Sequence, residues 1–276
     1  MKDVQNEKPL YQYEIPYVGI EDLHAYVPIT WHNNHYHLLC NFSIYVNLPA
    51  DQKGIHMSRI PESIYESIQN ILKTTHSSLE DLLIDIKQKL TDKHEYATSI
   101  TIKASTYLPI TTTTPKTNKE SQEVIPIYIK LHNNKKTLVI SVLGQTVCPC
   151  AQEMTKDVLS GQITPSHNQR GEMTIKFTCP IDYPITFETL YDIACKSMSA
   201  PTYSLLKRPD ELSVVLQAHN NPRFVEDCVR YAKRYLDELI EHKPKADVSY
   251  TVKQVNYESI HKHNAVAIIT GGFNGN

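Results

Sequence analysis

The chain has 276 residues, of which 41% are hydrophobic and 21% charged, and its formal net charge is −2 at pH 7. This charge gives no general attraction to nucleic acid or to a membrane surface, so an anionic ligand must be held by local charge. The polar first nine residues, and the lack of an apolar run near the roughly 20 residues of a membrane span, predict a cytoplasmic protein with no membrane or nucleic-acid partner. Six cysteines are too few for a disulfide scaffold.

Strand and helix patterns alternate along the N-terminal part. Aromatic and β-branched residues predict strands over 17–30, 35–48 and 98–108. Pro61 stands at the first turn of a predicted helix, and apolar residues follow it at helical spacing. Ser77 and Glu80 then form a capping-box pattern ahead of a second apolar stripe. The polar stretch 111–122 is predicted to be a loop or a linker between modules.

The C-terminal part follows a similar order. We predict helices over 186–198 and 222–242, and strands over 124–131, 137–147, 172–179, 248–255 and 265–270. This order predicts an α+β fold made of two ββααββ-like units, in which antiparallel sheets carry helices on one face. We place the two units at residues 1–120 and 121–276 of a single compact, bimodular chain.

Three short segments carry residues suited to metal chemistry. Cys148 and Cys150 stand in TVCPCAQE after a predicted strand, and Pro149 between them predicts a turn rather than a regular helix or strand. His167 lies in the loop-like segment SHNQR, and His261 lies in ESIHKH before the last predicted strand. A thiolate with two imidazoles suits a divalent ion such as zinc or iron. Taken alone, these residues also fit a second interpretation, that of unrelated buried thiols and surface imidazoles.

Six motifs occur in one order between Lys53 and Ala265: KGIHMSR, VCPCAQE, SHNQR, LLKRPDE, NPRFVED and ESIHKHNA. Together they resemble the type IB GTP cyclohydrolase family, which includes the archaeal MptA-type enzymes. The resemblance implies the tunnelling fold, a homotetramer, GTP as substrate, and a divalent metal cofactor that is zinc, ferrous iron or manganese. It implies hydrolytic opening of the guanine imidazole ring, release of formate, and 7,8-dihydroneopterin triphosphate as the product, the first step of pterin and tetrahydrofolate biosynthesis.

The resemblance also implies roles for particular residues. It makes Cys148, His167 and His261 the metal ligands, and Cys148 a catalytic residue as well. Glu258 matches the carboxylate that anchors the purine, because a carboxylate can accept two parallel hydrogen bonds from the guanine N1–H and 2-amino group. His56 is the candidate for proton transfer. The candidates for binding the triphosphate are Arg59, Arg170, Lys207 and Arg208.

The chain departs from the bacterial members of that family at one position. Pro201 stands in SAPTYSLLKR where those members have a glutamate that contributes to the metal site. The sequence APTY resembles archaeal-type members, which use ferrous iron and give the cyclic phosphate of dihydroneopterin, so this product is the alternative to the triphosphate. Cys150 is either an auxiliary thiol or a packing residue. Another tunnelling-fold purine or pterin enzyme, and a catalytically silent structural or metal-storage protein, are the remaining alternatives.

Overall fold

The computed structural model describes residues 3–31, 34–71, 78–159 and 164–275. Within these ranges the strands are β1 (Ile15–Trp31), β2 (Asn34–Leu48), β3 (Ile100–Thr113), β4 (Glu120–His132), β5 (Lys135–Val147), β6 (Asn168–Pro180), β7 (Ala200–Pro201), β8 (Val248–Asn256) and β9 (Ala265–Phe273). The helices are α1 (Arg59–Ile71), α2 (Leu79–Lys93), α3 (Pro149–Leu159), α4 (Phe187–Ser197), α5 (Arg208–Asn220) and α6 (Val225–Glu241). None of these helices has the length and apolar character that a membrane span requires.

The strands follow the hydrogen-bonded order β1-β2-β3-β4-β5-β6-β8-β9, and β7 pairs with β5. The chain divides into two compact units. Unit 1 comprises Met1–Tyr107 and Tyr128–Thr137, and unit 2 comprises Leu108–Ile127 and Leu138–Asn276. Antiparallel strands with two groups of helices confirm the predicted α+β class.

Unit 1 is built on antiparallel pairs of β1 with β2 and of β2 with β3. From Leu38 to Leu48 every second side chain of β2 is buried, and α1 packs against α2. Ser78 is the N-cap of helix α2. Its hydroxyl accepts a hydrogen bond from Asp81 N at 3.1 Å, and Asp81 Oδ2 accepts one from Ser78 N at 3.1 Å. The capping box therefore joins these two residues rather than the predicted pair of Ser77 and Glu80, and Ser77 lies outside the described residues.

The predicted linker at 111–122 is shorter than the sequence indicated. Strand β3 runs on to Thr113 and β4 begins at Glu120, so the connection between them is a tight turn. Thr114 N donates to Lys119 O at 2.9 Å and closes that turn. The run of threonines explains the difference, because β-branched residues favour strands even in a polar sequence.

A buried carboxylate fastens this turn to α5 within unit 2. Asp210 is fully buried, and its Oδ1 accepts hydrogen bonds from Lys116 N and Thr117 N, each at 2.9 Å. Its Oδ2 accepts from Thr117 Oγ1 at 2.6 Å and from Lys207 N at 3.1 Å. Burial raises the pKa of Asp210, but these hydrogen bonds outweigh burial and hold the pKa well below its ordinary value.

Unit 2 carries β6, β8 and β9 as an antiparallel series, with α6 packed on β8 and β9 and α4 packed on α6 and β6. The helix predicted over 222–242 is present as α6, which buries Val225, Cys228, Val229, Ala232 and Leu236. Helix α5 was not predicted. Its apolar residues do not mark the buried face, because Leu212 and Val215 are exposed while Asp210 is buried. Val214 and Ala218 nevertheless pack in a buried cluster with Val147 and Ala200.

Candidate active site

Cys148 lies at the junction between strand β5 and helix α3. Strand β5 ends at Val147, as predicted, but the segment after it is a helix and not the predicted turn. The predicted turn was wrong because Pro149 is the first residue of α3, a position where the N–H that proline lacks has no partner inside the helix. Cys148 Sγ accepts a hydrogen bond from Ala151 N at 3.5 Å, in the manner of an N-cap side chain.

His167 lies directly beside this junction, at the start of β6. SHNQR is therefore half loop and half strand, since β6 begins at Asn168. Cys148 N donates to His167 O at 3.2 Å, and Ser166 Oγ donates to Cys148 O at 2.6 Å. The main chains of Cys148 and His167 are thus hydrogen-bonded directly to each other.

A cavity of about 280 Å³ in unit 2 gathers four of the predicted site residues. Its lining includes Cys148, His167, Glu258 and His261. They come from three motifs that are far apart in the sequence, and they meet because β5, β6 and β8 lie next to each other in the strand order. The structure therefore brings together residues that the sequence could only associate by resemblance.

The side chains of His167, Glu258 and His261 lie near one another without direct hydrogen bonds between them. His167 Nδ1 lies 3.9 Å from Glu258 Oε2, and these two side chains are 14% and 10% exposed. The rings of His167 and His261 are nearly perpendicular, with centroids 6.4 Å apart. His261 in turn stacks on His263 at 5.1 Å, and both of these rings are exposed.

Within the described ranges, no three or more His, Cys, Asp and Glu side chains converge closely enough to hold a metal ion. The types of donor do fit such an ion. The lining of this one cavity includes the Cys148 thiol and the imidazoles of His167 and His261, a set that suits zinc or ferrous iron. These three residues are the ones that could hold the divalent metal predicted from the sequence.

Comparison with known proteins decides the family. A family model described as type I GTP cyclohydrolase folE2 matches residues 1–267. The chain is 36% identical to GTP cyclohydrolase MptA of Methanococcus maripaludis strain C7, over 96% of this chain and 93% of that protein. It is 38% identical to GTP cyclohydrolase MptA of Methanococcus aeolicus, over 96% of this chain and 94% of that protein. The chain belongs to the type I GTP cyclohydrolase folE2 family.

The fold of this family member is the predicted tunnelling fold. Its structure is similar to that of uricase from Arthrobacter globiformis, with a TM-score of 0.53, 10% sequence identity, and coverage of 97% of this chain and 96% of the uricase chain. At this identity the likeness shows the fold alone.

Two further residues predicted for this cyclohydrolase lie in unit 1. His56 and Arg59 line a polar cavity of about 430 Å³ together with Lys93. His56 Nε2 lies 3.5 Å from Asp3 Oδ2, and Arg59 Nη1 donates to Lys93 O at the end of α2. Both side chains thus already have partners in unit 1.

The remaining predicted residues lie in unit 2 but not in the described lining of its Cys148 cavity. Arg170 is an exposed residue of β6, and Lys207 and Arg208 are exposed at the start of α5. Cys150 is exposed in the first turn of α3. Pro201, the departure from the bacterial pattern, pairs with Gly144 where β7 meets β5.

Two residues that support the site were not predicted from the sequence. Gln169 is 9% exposed and contacts His167, which precedes it by two positions. That spacing places both on one side of an extended chain and could have revealed the contact. Arg223, in the motif NPRFVED, donates from its backbone N to Val147 O at 3.0 Å and from Nη1 to Lys196 O at 2.6 Å. It thereby holds the residue just before Cys148.

A glycine keeps space beside the cavity. A Cβ at Gly171 would lie 2.4 Å from Gln254 Nε2 and 2.9 Å from Asn256 Oδ1. Asn256 is buried, lines the cavity and accepts a hydrogen bond from Gln254 Nε2 at 3.0 Å. A side chain at position 171 would therefore displace this amide pair.

Proposed function

We propose that this chain is a GTP cyclohydrolase that opens the imidazole ring of guanine by hydrolysis and releases formate. The observation that carries the proposal is the unit 2 cavity, where a thiol, two imidazoles and a carboxylate meet in a chain of the folE2 family. A purine-anchoring acid and metal-binding donors in one cavity are what hydrolysis at a guanine ring needs.

Glu258 is the proposed anchor for guanine. Its side chain is 10% exposed, so bonds formed to its carboxylate compete with little water. Its two oxygens can accept the N1–H and one hydrogen of the 2-amino group in parallel. This pairing selects guanine over adenine, because adenine has no hydrogen on N1.

Cys148, His167 and His261 are the residues that we propose hold a divalent ion, with zinc, ferrous iron and manganese as the candidates. Bound there, the ion would supply a water molecule of lowered pKa close to the ring carbon that is attacked. The backbone hydrogen bond from Cys148 N to His167 O holds these two residues next to each other. Cys150 is proposed as an auxiliary thiol because it is exposed rather than packed.

The proposed proton-transfer group is His56, and the proposed triphosphate ligands are Arg59, Arg170, Lys207 and Arg208. Because the net charge of the chain is −2, the triphosphate depends on such local cations. The exposed ends of Arg170, Lys207 and Arg208 are free of the desolvation cost that a buried cation would carry. We also propose that the enzyme acts as a cytoplasmic homotetramer.

We propose that the product is 7,8-dihydroneopterin triphosphate, as in the reaction of EC 3.5.4.16. A second candidate is the cyclic phosphate expected for archaeal-type members of the family. Two observations favour this second product: the relatives named GTP cyclohydrolase MptA at 36% and 38% identity, and Pro201 in the place of the bacterial glutamate. The two candidates share ring opening and formate release and differ in the fate of the phosphates.

The test is anaerobic reconstitution of the metal-free protein with zinc, ferrous iron or manganese, one at a time. Formate release from GTP is measured first, with ATP as the control substrate. The molecular mass of the pterin product is then determined by mass spectrometry. We expect formate from GTP and none from ATP with at least one metal. Absence of formate with all three metals contradicts the proposed function, whereas the product mass decides between triphosphate and cyclic phosphate.

A further inference from the structure

The side chain of Gln169 connects His167 to the interior of unit 2. Its Oε1 lies 3.0 Å from His167 Nδ1, and its Nε2 donates to Thr146 Oγ1 at 3.0 Å. Gln169 is 9% exposed and Thr146 is fully buried. Since water has little access to this chain of bonds, each polar atom in it needs its protein partner.

We propose that Gln169, fixed by Thr146, is a positioning residue that keeps neutral His167 protonated on Nδ1 and leaves Nε2 bare as the metal-binding atom. The inference rests on the proposed function in that it treats His167 as a metal ligand. It adds the residue that selects which nitrogen is available. A neutral imidazole has one N–H and one lone pair, so the partner of one nitrogen determines the chemistry of the other.

The orientation of the Gln169 amide gives the direction of the bond to His167. Its NH₂ group donates to Thr146, so its carbonyl oxygen faces the ring. An amide oxygen can only accept a hydrogen bond, so the 3.0 Å contact is a hydrogen bond only when Nδ1 carries the proton.

Glu258 favours the same proton position. Its Oε2 lies 3.9 Å from His167 Nδ1, too far for a hydrogen bond but close enough for a substantial electrostatic interaction. A carboxylate oxygen is attracted to an N–H at this distance and repelled by a bare lone pair. Two independent neighbours of Nδ1 thus stabilise the same tautomer of His167.

The bonds of Thr146 and Cys148 link the two proposed ligands. Thr146 lies on β5 two residues before Cys148, and β5 neighbours β6 in the strand order. Cys148 N also donates to His167 O at 3.2 Å. The segment that presents the thiol therefore also fixes the imidazole, through Gln169. Loss of such a partner to a metal-binding histidine typically lowers metal affinity by about 10- to 100-fold.

The first measurement is the tautomer of His167 in the metal-free protein, read by ¹⁵N NMR above the usual histidine pKa of about 6.5. The His167 signal is assigned from its loss in His167→Ala. We expect the proton on Nδ1 in the wild type and in Gln169→Glu, whose carboxylate still accepts from Nδ1–H. We expect Gln169→Leu to shift the proton toward Nε2. A wild-type ring protonated on Nε2 overturns the inference.

The second measurement is the affinity for Co²⁺, followed by its absorbance in competition with a chelator. We expect Gln169→Leu to lose about 10- to 100-fold in affinity, and Gln169→Glu to retain it. Thr146→Val, which keeps the shape of the side chain, should show a smaller loss. Thr174→Val is the matched control, because it removes the 2.9 Å bond between Ser141 and Thr174 on the same two strands.

These outcomes separate the inference from the proposed function. If Gln169→Leu keeps both the Nδ1 tautomer and the affinity of Thr174→Val, the inference is wrong even when the wild type releases formate from GTP. If the wild type releases no formate but its variants show the expected tautomer and Co²⁺ changes, the proposed function fails and the role of Gln169 stands.

Discussion

Replacement of Glu258 by glutamine changes one atom of the proposed guanine anchor and keeps its size. In the wild type, the two carboxylate oxygens would accept the N1–H and the 2-amino hydrogen of GTP. In Glu258→Gln, one of these oxygens becomes an NH₂ group that faces another donor. GTP therefore loses one charge-assisted bond, and two hydrogens are opposed to each other.

The size of this effect follows from the burial of Glu258. With 10% of the side chain exposed, solvent screens the loss only weakly. A hydrogen bond to a charged group contributes roughly 1.5–3 kcal/mol, and an opposed, unpaired donor costs about 1–3 kcal/mol more. The lower part of this sum, about 3 kcal/mol, already corresponds to roughly a hundredfold loss of GTP affinity. ITP lacks the 2-amino group, so the amide can turn its oxygen to N1–H, and we expect a loss of about tenfold or less.

Equilibrium binding of GTP and ITP to the metal-free protein, by calorimetry, tests this directly because no turnover occurs. Metal content is measured in parallel and should stay unchanged. Glu226→Gln is the matched control, since Glu226 lines the same cavity, and it should leave the ratio of GTP to ITP affinity unaltered. Equal losses for the two nucleotides in Glu258→Gln would refute the reasoning. A GTP-selective loss in Glu226→Gln would move the anchor to that residue.

Three further predictions concern the ligands and the frame of unit 2. Cys148→Ser should keep the hydrogen bond from Ala151 N and the melting temperature but lose turnover, because a hydroxyl replaces the thiol; wild-type formate release would contradict this. His167→Ala and His261→Ala should each lower bound metal sharply after gel filtration, and unchanged metal in both would place the site elsewhere. Asp210→Asn should lower the melting temperature at neutral pH. The folded-state pKa of Asp210 is lowered, so the ionised carboxylate stabilises the fold above about pH 3.9, and this stabilisation is lost as the pH falls through the folded-state pKa. An Asp210→Asn mutant with the melting temperature of the wild type at neutral pH would contradict this prediction.

Composition and periodicity made most of the fold predictable from the sequence. Strand β2 was visible because it is rich in aromatic and β-branched residues, and α6 because its apolar residues recur at helical spacing. The turn between β4 and β5 falls between the strands predicted over 124–131 and 137–147, and Asn133 adopts a φ of 52° there, a conformation that asparagine tolerates well. Helix α5 escaped prediction because one of its fully buried residues is an aspartate, which accepts hydrogen bonds from Lys116 N and Thr117 N, 94 and 93 residues earlier in the chain.

Site residues that belong to a motif could be predicted from the sequence, whereas those whose position depends on packing could not. Cys148, His167, Glu258 and His261 were named from their motifs, and the cavity brings them together. The places of Arg170, Lys207 and Arg208 could not be read from the sequence, because the position of an exposed cation depends on the fold and not on its neighbours in the chain.

Helix α3, which follows Cys148, is attached to unit 2 with little apolar packing. Helix α4 buries six of its side chains, whereas α3 buries none and leaves Met154 and Val158 exposed. Polar bonds hold α3 instead, such as the one from Gln152 Nε2 to His219 O at 2.7 Å. Helices held in this way open at a free energy far below that of global unfolding. Amide hydrogen exchange in α3 should therefore be fast, and Cys148 should become accessible to alkylating reagents while the rest of the chain stays folded.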